Sequence, residues 1–229
     1  MAKKVFISIG HGGDDPGAVA NGFKEKDLNM SIATACVTEL KRHGIEVLQN
    51  RTTDVNTTSA QDISACERFN PDLAVDIHNN AGGGDGAEVF HHYGGGTGKT
   101  LANNILDEIV KIGQNSRGAK TRRRSDGKDY YYFIREISAP SVLVECAFVD
   151  NKKDIEVIDT ATEQKAMGVA IAKGIMKTLG IEYKEATQKP ESTSTGKIYR
   201  VQVGAYSQKE NAEAMLKKLK AAGYDAFIV

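Results

Sequence analysis

The chain lacks net charge: thirty basic residues are met by thirty acidic ones. That balance excludes general electrostatic binding to nucleic acid or to an anionic membrane. No apolar run reaches the roughly 18 to 20 residues that a membrane span needs, so no membrane insertion is expected. The basic opening MAKK is followed only by VFISIG, too short for a signal-peptide core, and no small-residue cleavage site comes after it. Synthesis in the cytoplasm without an export signal is therefore expected. Cysteine is scarce as well. Cys36, Cys66 and Cys146 stand far apart, with no C-x-x-C pair. An odd, scattered set argues against a disulfide framework and suits a reduced compartment.

What is present is ordinary globular material. The 229 residues suffice for one good-sized domain and a small second one, and 40% of them are apolar. Short apolar runs predict strands at Val5–Ile9, Ile45–Leu48, Leu73–Ile77, Ala87–Tyr93, Tyr130–Ile134 and Val142–Val144. Helices are predicted at Lys24–His43, Ser59–Phe69, Thr100–Ile112 and Thr162–Leu179. The alternation reads as an α/β layered domain, with a mostly parallel mixed sheet flanked by helices, over residues 1–181. Residues 182–197 are polar and aperiodic and carry Pro190, the make-up of a linker. Residues 198–229 then give strand, amphipathic helix and strand: a small C-terminal βαβ unit that cannot bury its own sheet face.

Chemistry-bearing side chains follow three of the strands. His11 comes after VFISI, His78 after LAVDI and Glu145 after SVLV. Ligands gather at the carboxyl ends of strands in open α/β sheets, so these three could meet in one cleft. Glu25, on the first turn of the first long helix, is a fourth candidate. Two histidines and a carboxylate make the ligand set of a catalytic zinc, with the other carboxylate left as general base. Such a centre would hydrolyse an amide or ester. A carboxylate after a buried strand, as at Glu145, needs a partner or a cation. Asp14 and Asp15 read as turn formers. His91 and His92 are neighbours on a strand, so they face opposite ways and cannot both serve one site.

Four stretches in order carry a resemblance: GHGGDDPGA, GFKEKDLN (Gly22 to Asn29), DIHNNAG (Asp76 to Gly82) and SVLVECAFVDN (Ser141 to Asn151). Together they resemble the motifs of the zinc-dependent N-acetylmuramoyl-L-alanine amidases, the Amidase_3 family of bacterial cell-wall hydrolases and phage endolysins. The resemblance spans residues 3 to about 180. It implies Zn2+ held by His11, Glu25 and His78, with Glu145 as the catalytic acid and base. The implied substrate is bacterial peptidoglycan, cut between N-acetylmuramic acid and L-alanine. Asn79 and Asn80 are then expected to hydrogen-bond that substrate, and Gly12, Gly13 and Gly17 to let backbone approach it. Two positions depart from the common pattern: Asp76 stands where many members carry Ser, and Ala147 where many carry Gly. The tail YRVQVGAYSQKENAEAMLKKLKAAGYDAFIV is similar to one half-repeat of a SPOR domain, a peptidoglycan-binding module. A lone half leaves sheet edges unpaired, so a homodimer through this unit is expected. Action on the wall would follow release, through a holin or by mother-cell lysis.

Three other readings compete. GGGTGKT before an apolar helix imitates a phosphate-binding P-loop, although its first glycine would fall at Tyr93. Cys146 could be a thiol nucleophile, although it should face away from Glu145. A wall-binding protein with a decayed site is the third, although all four expected site residues are present.

Overall fold

In a computed structural model the chain is described over residues 2–185, 202–224 and 226–228. It divides into two compact units, Met1–Lys184 and Glu185–Val229. The first unit opens with β1 (Lys4–Ile9), a two-residue hairpin of β2 (Val19–Ala20) and β3 (Phe23–Lys24), and α1 (Glu25–Arg42). Then come β4 (Glu46–Gln49), α2 (Ser59–Phe69), β5 (Leu73–Asn80), β6 (Ala87–His91) and α3 (Gly96–Lys111). The unit closes with β7 (Ser116–Lys120), α4 (Tyr132–Glu136), β8 (Ser141–Phe148), α5 (Lys152–Ile155) and α6 (Ala161–Leu179).

Six strands form one sheet in the order β4-β1-β5-β8-β6-β7. Every pairing is parallel except β6 with β8. Because side chains alternate across a strand, each strand is split between two faces. Val5, Ile7 and Ile9 of β1, Leu73, Val75 and Ile77 of β5, and Val142, Val144 and Cys146 of β8 point to one side. There they meet the apolar stripes of α1, α3 and α6 in a single dry core. The other side is thinner. Phe6, Ala74 and Cys66 pack with Phe133 and Ile137, while Phe90, Ile134 and Leu143 form a third small cluster. A capping box starts α2: Thr58 accepts from the Gln61 backbone, and the Gln61 side chain accepts from the backbone N–H of Thr58.

The expected strand at Tyr130–Ile134 is instead the short helix α4. Both sides of β8, the strand that follows, are already taken by β5 and β6, so that segment cannot pair beside it. One helical turn also lets Phe133 and Ile134 reach two different clusters. Strand β7 was not foreseen, because its sequence SRGAK lacks an apolar alternation; it is an edge strand and needs none.

In the second unit the expected helix is present as α7 (Lys209–Ala221), but none of its residues is buried. Its expected strands are not found in the described stretches 202–206 and 226–228; their remainder, like most of the 182–197 linker, lies outside the described residues.

Candidate functional site

His11 follows β1 in an unusual backbone state. Its φ is 60°, a left-handed conformation that is rare outside glycine and frequent where a side chain must be aimed. Arg51, itself buried, holds the chain in that turn by donating to the carbonyls of Ile9 and Gly10 at 3.2 and 3.3 Å. Lys26 donates to the Gly13 carbonyl at 2.8 Å and pairs with Asp54 at 2.7 Å. Glu25 is the first residue of α1, where the helix dipole favours an anion. The Ala18 N–H donates to its Oε2 at 2.9 Å, and the Asn79 N–H to its Oε1 at 3.1 Å.

The strand-end premise needs correction. Only His11 lies beyond its strand; His78 and Glu145 lie inside β5 and β8, whose ladders run further than expected. They are direct neighbours in the β5–β8 register. With Ser8 of β1, Asp76 of β5 and Leu143 of β8 they face the thin side of the sheet, and line a cleft of about 290 Å³ closed by Ile63, Tyr131 and Phe133. Period-two alternation, not chain termination, delivers these groups to one place.

His11 Nε2 lies 3.2 Å from Glu25 Oε2, and His78 Nδ1 lies 3.0 Å from Glu25 Oε1. One ligating atom from each of the three lies within 4.8 Å of the others, the sole such group of metal-capable side chains among the described residues. Backbone crowds in around it. A Cβ on Gly10 would fall 2.1 Å from the His78 ring, and one on Gly17 would fall 2.5 Å from Glu25 Oε2. The donor set and spacing therefore fit a tetrahedral N/O metal ion with an open fourth position.

Electrostatics point the same way. Burial pushes the Glu25 carboxyl up, but hydrogen bonds from His11 and His78 outweigh it and hold the group well below its usual range. Burial raises Glu145 to about 7, against an opposing pull from His78. Its Oε2 is buried without a hydrogen-bond partner. A carboxyl that gains and loses a proton near neutrality, beside a metal-capable triplet, has the make-up of an acid–base group in a metal-assisted hydrolase.

Asn79 is buried, donating to Asn29 Oδ1 at 2.8 Å, and Asn80 donates to Glu88 at 3.0 Å. Both amide nitrogens are thus engaged within the fold, while Asn79 Oδ1 is buried without a partner. Asn29 was missed in the sequence, though it lies one helical turn after Glu25 in GFKEKDLN; it reaches the Gly10 carbonyl at 3.0 Å and supports the same loop. Glu88, held by Arg117 at 2.8 Å and by Lys120, sits opposite Glu145 on β6.

The competing readings fare poorly. Helix α3 already begins at Gly96, so the GTGKT segment is helical and offers no loop to cradle phosphates. Cys146 is fully buried on the dry face, with its thiol pushed well up by burial.

The fold and this site fit a hydrolase of the α/β class, with three side chains that could hold a metal ion. The sequence pattern of the family described as N-acetylmuramoyl-L-alanine amidase matches residues 5–177, and that of the SPOR domain matches residues 169–229. The chain is 33% identical to the N-acetylmuramoyl-L-alanine amidase CwlM of Bacillus licheniformis, over 99% of this chain and 84% of that protein. It is 31% identical to an endolysin of Bacillus phage SPP1, over 99% of this chain and 83% of that one. Among solved structures, Cwp6 from Clostridium difficile superposes with a TM-score of 0.77 at 38% identity, covering 78% of this chain and 30% of that one. The catalytic domain of the amidase CwlV from Bacillus (Paenibacillus) polymyxa gives 0.70 at 27%, covering 79% and 99%. The chain belongs to the N-acetylmuramoyl-L-alanine amidase family. Its reaction is hydrolysis of the amide that joins muramic acid to the L-alanine of the stem peptide in the cell wall.

Proposed function

We propose that this amidase is zinc-dependent, with His11, Glu25 and His78 as ligands and Glu145 as the acid–base residue. The convergence of two imidazole nitrogens on the two oxygens of one buried carboxylate carries the reading. Zinc bound there would polarise the scissile carbonyl and make water acidic enough to attack near neutral pH. Glu145, ionised, accepts a proton from the attacking water. It then returns that proton to the L-alanine nitrogen, which must leave as an amine. Its buried seat suits both halves of the cycle, because burial favours the protonated form that it must hold between steps. Tyr131 and Tyr132, which line the cleft, are placed to flank the substrate. The test is digestion of purified wall by chelator-treated protein, before and after zinc is added back. New L-alanine N-termini should appear by mass spectrometry only with zinc; undiminished release from protein shown to hold no metal would end this reading.

The division of labour proposed is a catalytic part at 1–181, a linker at 182–197 and a wall-binding tail at 198–229. The exposed Val203, Tyr206, Tyr224 and Phe227 of the tail favour association, and the tails of two copies completing one sheet would cover them. Removing residues 190–229 should leave cleavage of soluble muropeptide intact and weaken binding to whole wall. Light scattering that finds the full chain monomeric at roughly tens of micromolar would exclude the dimer. Relatives named as a sporulation-specific amidase of Bacillus subtilis and as a phage endolysin lie at 30% and 31% identity. Both names fit cytoplasmic synthesis followed by release onto the wall, by mother-cell lysis or a holin.

A further inference from the structure

His78 meets a carboxylate at each ring nitrogen. Nδ1 faces Glu25 within the candidate metal cluster, and Nε2 lies 3.3 Å from Asp76 Oδ2. Asp76 and His78 are two apart on β5, so the pleat turns both to the thin face. A neutral imidazole carries one proton, and a metal takes the bare nitrogen; the proton must then sit on the other nitrogen, where an acceptor can hold it. His11 is flanked in a similar way but at closer range, its Nδ1 hydrogen-bonded to Asp15 Oδ2 at 2.8 Å. The two carboxylates differ in exposure: the Asp15 side chain is 61% exposed and that of Asp76 is 10%. Water and salt screen the first pair and leave the second nearly unscreened. Asp15 also serves the turn itself, accepting the Gly17 N–H at 3.0 Å. Asp76 has no comparable second role, since its other oxygen, Oδ1, is buried without a hydrogen-bond partner. A half-satisfied buried carboxylate costs stability, so its place is better explained by His78 than by folding.

We propose that Asp76 is a positioning residue of the amidase centre, accepting the Nε2 proton of His78 and thereby committing Nδ1 to the metal, more strongly than Asp15 does for His11. The inference rests on the zinc reading above. Its test uses the full chain as wild type, Asp76→Ala, Asp76→Asn and Asp15→Ala. Zinc affinity is measured by competition with a chromophoric chelator, and the zinc-loaded proteins are compared by proton NMR in the imidazole N–H region. Asp76→Ala should weaken zinc by about 10- to 100-fold, Asp76→Asn by less, since an amide oxygen still accepts, and Asp15→Ala least. Wild type should show an exchange-protected downfield imidazole proton that Asp76→Ala loses. Wild-type zinc affinity in both Asp76 variants, or an unchanged protected proton in Asp76→Ala, overturns the proposal while leaving the zinc reading intact. A wild type that binds no zinc overturns both.

Discussion

One sheet presents two unlike faces. Against α1, α3 and α6 its side chains are aliphatic and fully buried, from Val5 and Ile7 through Val75 and Ile77 to Val142 and Val144. One pleat step away, on the same strands, stand Ser8, Asp76, His78 and Glu145, around an open cleft. The backbone is shared; only the parity of the residue number differs. Stability and chemistry are thus divided by a period of two, and a shift of a single position along β5 passes from one face to the other.

The division can be broken from either side. His78→Ala removes a proposed ligand, so bound zinc and amidase activity should vanish together, as measured by elemental analysis and by release of L-alanine N-termini. Its neighbour Ile77→Ala leaves the cleft alone but opens a cavity in the dry core. It should cost about 2–5 kcal/mol in denaturant unfolding while kcat of the folded fraction stays near wild type. A full loss of activity in folded Ile77→Ala would mean that the faces are not independent.

A smaller effect sharpens the comparison through pH. The Glu145 carboxyl has a folded pKa of about 7, above its ordinary 4.5, because of burial. The folded chain therefore binds that proton more tightly than the unfolded chain does. The resulting stability is fully present below 4.5 and is lost as pH rises through 7. In metal-free protein, Glu145→Gln should remove this slope, a difference of up to about 3 kcal/mol between about pH 4.5 and 7.5. Parallel pH profiles for the two metal-free proteins would contradict the assigned burial of Glu145.

The strongest signals in the sequence were chemical types in apolar company. His11, His78 and Glu145 each follow runs that read as buried strand, and α1 was visible with Glu25 on its first turn. What stayed hidden depended on layers. The parity that sets Asp76 beside His78 was available as an i,i+2 spacing, but its meaning required knowing which face is dry. That β5 extends through Asn80 and buries Asn79, its backbone N–H donating to Glu25, was equally hidden. Arg51, far from any motif, gave no sign of its hold on the carbonyls of Ile9 and Gly10, because that contact crosses from the loop after β4 to the end of β1. The aromatic run before Arg135 favoured a strand on propensity alone; the filled positions beside β8 decided otherwise.

The most direct measurement of the central claim is the Glu145→Gln protein, assayed for zinc content and for hydrolysis of purified wall in the same preparation. The substitution keeps shape and removes the ionisable group. One zinc per chain should be retained while hydrolysis falls by about a hundredfold or more. Near-normal turnover at full zinc occupancy would contradict the assignment of Glu145, and with it the claim that the open face of this sheet performs the chemistry.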